Sequence, residues 1–179
     1  MRLDEVEMLV ASGRSTARQI RNALSEIYKE LETSGATRLL SGIDVCYTQI
    51  AASAVGIFSI YESRLKSAHG WNKPFDEVER LLVASGLQKQ AMEFENFRQA
   101  VNVLKHGEGP SHTRLLGRKD GLPFKVQSAP GSLHEEGDVC PPRDLVLVSA
   151  EFMELCCDVI EKSWPIVQTT MQGKGRGEA

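Results

Sequence analysis

Four polar side chains share one side of a predicted helix and form the group in this sequence that is best suited to chemistry. They are Glu95, Arg98, Asn102 and His106. The last three are spaced four residues apart, so they occupy adjacent turns of the same side. An imidazole can exchange a proton near neutral pH, an amide can orient a substrate, and a guanidinium can neutralise phosphate charge. In a catalytic version of this site, we expect His106 to act as general acid or base, Asn102 to hold the substrate or orient the imidazole, and Arg98 or a cation of the following loop to stabilise the phosphorane.

A structural role for the same side chains is also open. Arg98 can form an ion pair with Glu95 or Glu62, and Asn102 can make an amide contact between helices. The sequence by itself leaves both interpretations standing, a phosphate site and a set of helix–helix contacts.

No metal site and no other cofactor site is predicted. Residues of the types that bind zinc lie at or inside the segment after this helix, but their spacing matches no familiar site, so we interpret them as solvated loop residues. They are His106, His112, His134 and Cys140. The Gly-rich run 107–111 lacks the Gly-Lys-Ser/Thr of a phosphate-binding loop and is predicted to be a turn. Cys46, Cys156 and Cys157 form no C-x-x-C pair, which favours reduced, buried thiols.

Hydrophobic periodicity places the polar strip within an all-α fold of about five helices. A short first helix is predicted to end at Ser12-Gly13. The longer helices are predicted over residues 15–33, 37–69, 74–85, 87–106 and 150–164. Short connections between consecutive helices favour an up-and-down helical bundle. The helix over 37–69 is apolar around most of its circumference, so we expect it to be the central element.

The helix that carries the strip also has two apolar seams. Its core stripe consists of Phe94, Phe97, Val101 and Leu104. On its outer side, Met92 and Val103 form a second seam. Either a second subunit or a neighbouring helix of the same chain can cover that second seam.

Residues 107–143 separate the last two helices and are predicted to be a long loop. Eleven of these residues are Gly or Pro, which excludes a continuous helix. The runs 124–126 and 145–148 are strand-like and can pair as a short β-ribbon. The loop also contains cations that can either guide a phosphate backbone or simply be solvated. They are Arg114, Arg118, Lys119 and Lys125.

The bundle and this loop are predicted to form a single domain over residues 1–165. Pro165 is expected to end or kink the last helix because it lacks a backbone N–H. Residues 166–179 are expected to be a flexible tail, since their C-terminal part is polar and Gly-rich.

Charge and hydropathy narrow the function classes. The chain has 179 residues and a formal net charge of -3, so no overall basic field attracts nucleic acid or an anionic membrane. The most apolar window, 50–61, is about a dozen residues long, shorter than the roughly 20 residues of a membrane span. The first 31 residues contain no apolar run of the signal-peptide type. We therefore expect a cytoplasmic protein that does not contact a membrane, with any phosphate site being local.

Residues 101–107, with the sequence VNVLKHG, resemble the HEPN superfamily of helical-bundle domains. The resemblance includes their place on the last-but-one long helix and the run Tyr61-Glu62-Ser63-Arg64 on the helix expected to be central. The family pattern is an arginine, then four to six residues of which the first is usually polar, then a histidine. Asn102 and His106 match the polar position and the histidine, whereas Arg98 lies one residue upstream of the family spacing.

The resemblance implies a homodimer whose facing helices form a cleft. In catalytic members it implies a metal-independent ribonuclease, often in toxin–antitoxin or other defence systems. In members without the full motif it implies binding of nucleotides or partner proteins. We therefore predict a HEPN-like domain that binds nucleotide or RNA phosphate and, in the catalytic version, cleaves RNA. The alternative is a non-catalytic protein–protein interaction or scaffold module that uses the Met92 and Val103 seam and the loop 107–143.

Overall fold

Six helices longer than one turn pack together within residues 3–128 and 142–174, the part of the chain that this computed structural model describes. The predicted all-α fold is confirmed. The helical segments are α1 (Leu3–Leu31), α2 (Thr37–His69), α3 (Pro74–Ala84), α4 (Gln88–His106), α5 (Pro110–Leu116), the single turn α6 (Pro142–Leu145) and α7 (Ala150–Lys174).

Helix α4 is the central element of the bundle. It contacts α2, α3, α5, α6 and α7, whereas α1 packs along α2 and α7. Three members of the predicted core stripe of α4, Phe94, Phe97 and Val101, are each at most 2% exposed, and the fourth, Leu104, is partly buried against the core. The polar strip of interest is therefore carried by a helix that packs against five other helical segments, as α2 also does.

Helix α2 contacts α1, α3, α4, α6 and α7, but its outer face is exposed, so the expectation that other helices cover it on all sides is wrong. Its inner face is buried, but Val45 is 63% exposed and Ile60 is 49% exposed on the outer face. An 18-residue window of α2 has a mean hydropathy of 1.5 and is 28% buried. By length and composition this window is apolar enough to cross a membrane, a property that core helices of soluble proteins share. The apolar stretch is thus longer than the dozen residues counted from the sequence.

Helix α1 runs without a break over residues 3–31, so the interruption predicted at Ser12-Gly13 is wrong. Gly13 is buried against α7, where an added Cβ would lie 2.5 Å from the Sγ atom of Cys157. The glycine therefore serves the close approach of two helices and does not end one. The next residue, Arg14, strengthens the same contact through an ion pair of 2.8 Å with Asp158.

The boundaries of α3 and α4 follow the Pro and Gly signals in the sequence. Pro74 is the first residue of α3, as its fixed φ angle predicts. Helix α4 ends at His106, and Gly107 adopts a φ of 74°, a conformation that favours glycine. This end point places His106 at the last position of the helix, next to the turn that leads into α5.

The segment after α4 is more ordered than a structureless loop. Pro110 begins the seven-residue helix α5, and a 3-10 turn follows at Lys119–Gly121. The predicted β-ribbon is reduced to one antiparallel bridge between Val126 and Val146, and the described residues contain no strand. The Gly and Pro residues therefore divide this segment into short elements. Residues 129–141 lie outside the described part of the chain.

Helix α7 begins as predicted and ends later than predicted. The backbone N–H of Phe152 donates to the Ser149 hydroxyl at 3.1 Å, which confirms the predicted N-cap. The helix continues through Pro165 to Lys174, and Val167 is fully buried. Of the two effects predicted for Pro165, an end or a kink, the end of the helix is therefore wrong, and Val167, predicted to lie in a tail, belongs to the core. Residues 175–179 lie outside the described part of the chain.

Candidate binding sites on helix α4

The predicted strip of Arg98, Asn102 and His106 is divided between different surroundings. Arg98 faces α3, where its Nη1 donates to the Asp76 carboxylate at 2.5 Å and its Nε lies 2.9 Å from the Glu79 carboxylate. The prediction that Arg98 pairs with Glu95 or Glu62 is wrong, because both carboxylates that bind Arg98 come from α3. Arg98 thus joins α3 to α4.

Asn102 lies beside Arg98 in a polar cavity of about 210 Å³ where α2, α3 and α4 meet. The lining side chains come from the end of α2, the turn before α3, the start of α3 and the middle of α4. They are Glu62, Asn72, Lys73, Phe75, Asp76, Arg98 and Asn102. Arg64, two residues after Glu62 on α2, does not line this cavity, and its Nη1 atom lies 3.7 Å from the Glu5 carboxylate of α1.

His106 is exposed and does not line the polar cavity. His106 lies eight positions after Arg98, which is about 12 Å along the helix axis, and the side-chain direction turns by about 80° over that distance. Two side chains four residues apart on a helix are neighbours, but their directions differ by about 40°. Over two such steps the difference doubles, so the first and the third side chain face different surroundings. The structure therefore brings Arg98 and Asn102 together and leaves His106 apart.

The carboxylates around Arg98 form a small network between α3 and α4. Burial, together with the nearby Glu95 and Asp76, raises the pKa of Glu79 to about 7, while Arg98 opposes that rise. Glu95 is itself paired with Arg118, whose Nη1 lies 2.8 Å from the carboxylate. The lining of the polar cavity and this network contain more carboxylates than cations. Such a site is poorly matched to a phosphate dianion.

An apolar groove of about 400 Å³ lies on another side of α4, between α4, α7 and the segment that contains the 3-10 turn. Its apolar lining consists of Met92, Phe97, Leu122, Pro123, Leu155 and Val159. Met92 is 53% exposed at this site, whereas Val103 is fully buried in the core of the same chain. At Val103 the second seam is therefore covered by the same chain, which is one of the two predicted alternatives. At Met92 the seam is exposed to solvent.

Aromatic packing holds the groove in shape. The rings of Phe97, Phe124 and Phe152 form a cluster with centroid distances between 5.1 and 5.6 Å. This cluster fixes the 3-10 segment between α4 and α7. Arg118, directly before the turn, donates to the amide oxygen of the buried Asn96 at 3.2 Å. Aromatic packing and this hydrogen bond thus position the walls of the groove.

Charged side chains of both signs surround the groove. The residues at its edge include Lys89, Glu93, Asp120 and Lys162. Within the described residues, none of these four makes an ion pair. Their charges are available to a molecule that enters the groove.

The predicted zinc-ligand types do not converge in the part of the chain that the structure describes. No group of three or more His, Cys, Asp or Glu side chains there is placed to hold a metal ion. His112 is buried and its Nε2 donates to the Gln127 carbonyl at 2.7 Å, so its interpretation as a solvated residue is wrong. Burial raises the pKa of the Cys157 thiol to about 11, as expected for an inert structural cysteine. His134 and Cys140 lie outside the described residues.

Comparisons with known proteins add no relative. No family model, no curated protein and no solved structure matches this chain. The resemblance to the HEPN superfamily therefore stays a prediction that depends on the residues quoted for it.

The pairing of Arg98 with α3 and the helix α5 were not predicted from the sequence. Asp76 and Glu79 are three residues apart on α3, which signals a shared face, but nothing in one sequence indicates that Arg98 lies opposite that face. Helix α5 had a signal in Pro110, a residue type favoured at the first helical position, which the abundance of Gly and Pro obscured.

Proposed function

We propose that this protein is a non-catalytic interaction module that binds a segment of a partner protein in the apolar groove between α4 and α7. The single observation that carries the proposal is the exposed Met92 side chain beside a preformed apolar groove of about 400 Å³. Cavities of this size and lining are typical of binding sites. A methionine at the edge adapts its shape to different apolar surfaces.

The edge of the groove defines the chemistry of the partner. An apolar side chain of the partner fills the space above Phe97, because burying a charge there without a counter-ion is unfavourable. Flanking residues of both signs then face Lys89 and Lys162 and also Glu93 and Asp120, none of which is paired within the part of the chain that the structure describes. The expected ligand is a segment with one large aliphatic or aromatic anchor between charged residues.

A peptide-display library offers a defined test. Peptides selected on the full chain should carry a large apolar residue with charged neighbours, and calorimetry should give their affinities. Met92→Asp should weaken binding at least about tenfold, because it places a carboxylate over the apolar floor. Val83→Asp is the matched control, since Val83 is exposed to a similar extent on α3, away from the groove. Equal binding to both variants contradicts the proposal.

A ribonuclease activity of the kind that the HEPN resemblance implies is a second candidate. It is favoured by the exposed imidazole of His106 at the end of α4, with the exposed Lys105 beside it. The test is incubation with structured RNA in EDTA. Cleavage that disappears in His106→Ala supports this candidate, and the absence of cleavage by the unaltered protein contradicts it.

A further inference from the structure

The polar cavity between α2, α3 and α4 contains two charged groups that the fold uses little. Asp76 and Arg98 neutralise each other at 2.5 Å, so neither offers a full charge to a ligand. Glu62, by contrast, has no ion pair or hydrogen bond within the described residues, and it is partly buried. Lys73 approaches only Asp76, at 4.0 Å, and its side chain is 81% exposed. A carboxylate and an ammonium group therefore remain available in one small cavity.

The groups that line this cavity come from different elements of the fold. Glu62 belongs to the end of α2, whereas Lys73 precedes α3, and their cavity is closed on a third side by Asn102 of α4. Asn102 also makes no hydrogen bond within the described residues, so its amide can accept from one ligand group or donate to another. Among the described residues, Glu62 and Asn102 have no partner and Lys73 has only the long contact with Asp76, and all three line the same cavity of about 210 Å³.

We propose that this cavity binds a small zwitterion, a free α-amino acid with a short aliphatic side chain. The ligand's ammonium group pairs with the Glu62 carboxylate and the Asn102 amide oxygen, and its carboxylate pairs with the Lys73 ammonium group. Phe75, the apolar member of the lining, contacts the ligand's side chain. The lining contains two carboxylates and two cations, so a ligand with balanced charge fits it better than a phosphate or a polyamine does.

The test measures binding of L-alanine, L-valine and L-leucine to the full chain by calorimetry and by amide chemical shifts. We expect millimolar affinity for at least one of them, with shifts at Glu62, Lys73 and Asn102. N-acetyl-L-valine and L-valinamide each lack one of the two charges and should bind at least about tenfold more weakly than L-valine.

Variants separate this site from nonspecific binding. Glu62→Gln and Lys73→Met should each weaken binding at least about tenfold, and both should fold normally because neither side chain is deeply buried. Glu77→Gln is the matched control, since Glu77 pairs with Arg80 on α3 and does not line the cavity. Absence of binding by all three amino acids overturns the proposal, as does equal binding by Glu62→Gln and Glu77→Gln.

Discussion

Helix α4 borders a polar cavity towards α3 and an apolar groove towards α7, and the two are held in shape by different forces. At the polar cavity, ion pairs from Arg98 to Asp76 and Glu79 position the wall. At the groove, the packed ring of Phe97 does so. Ion pairs near the surface depend on pH and salt, whereas aromatic packing does not. The two sites should therefore respond differently to the same perturbations.

Phe97→Ala should have the largest effect, since Phe97 is buried at the centre of the aromatic cluster and also forms the floor of the groove. We expect a loss of about 3 to 5 kcal/mol in the free energy of unfolding. Chemical denaturation measures it. Met92→Ala, at the exposed edge of the same groove, should change that free energy by less than about 0.5 kcal/mol. Similar losses in both variants would show that the groove is not built on the Phe97 ring.

Arg98→Met removes the cation that joins α3 to α4 and should have the next largest effect. It leaves Glu79 without a counter-ion and Asp76 with only the exposed Lys73 at 4.0 Å, which should lower the free energy of unfolding by about 2 kcal/mol. Arg80→Met is the control, because Arg80 pairs with Glu77 on the exposed surface of α3. We expect the control to lose less than about 0.5 kcal/mol, and an equal loss would contradict a structural role for Arg98.

Glu79→Gln should change the pH dependence of stability. The pKa of Glu79 is raised from 4.5 to about 7 in the folded state. The folded protein therefore binds a proton more tightly than the unfolded chain does, and stability falls as the pH rises from about 4.5 to about 7. Removing this carboxyl should reduce that fall by on the order of 1 kcal/mol, allowing for solvent screening.

Thermal unfolding at pH 5 and pH 8 measures this effect. The unaltered protein should lose more stability between the two pH values than Glu79→Gln does. Glu77→Gln, an exposed carboxyl of the same helix, should behave like the unaltered protein. A parallel pH dependence in all three proteins would show that Glu79 keeps an ordinary pKa.

The sequence predicted those elements whose signals are local. The core stripe of Phe94, Phe97 and Val101, the start of α3 at Pro74 and the cap at Ser149 all depend on residues within one or two turns. The predictions that were wrong depend on distant neighbours. Gly13 was predicted to break the first helix, whereas its lack of a side chain allows Cys157 of α7 to pack against it.

At the candidate site, too, relations within one helix were predicted and contacts between helices were not. Spacing by four residues correctly placed Arg98 and Asn102 side by side, because that relation is a property of one helix. It could not show that α3 supplies two carboxylates to Arg98, since that depends on how α3 packs. Of the groove, the sequence predicted only an apolar seam at Met92. Its other walls could not be predicted because they come from segments more than twenty residues away in sequence.

His106→Ala should have the smallest effect on stability, because His106 belongs to neither site and is exposed at the end of α4. We expect a change below about 0.5 kcal/mol in the free energy of unfolding. His112→Ala is the informative control, since that ring is buried and donates to the Gln127 carbonyl. It should lose about 1 to 3 kcal/mol because an acceptor is left unsatisfied. A large loss in His106→Ala would mean that its imidazole has a structural partner, and any loss of activity in that variant would no longer indicate chemistry.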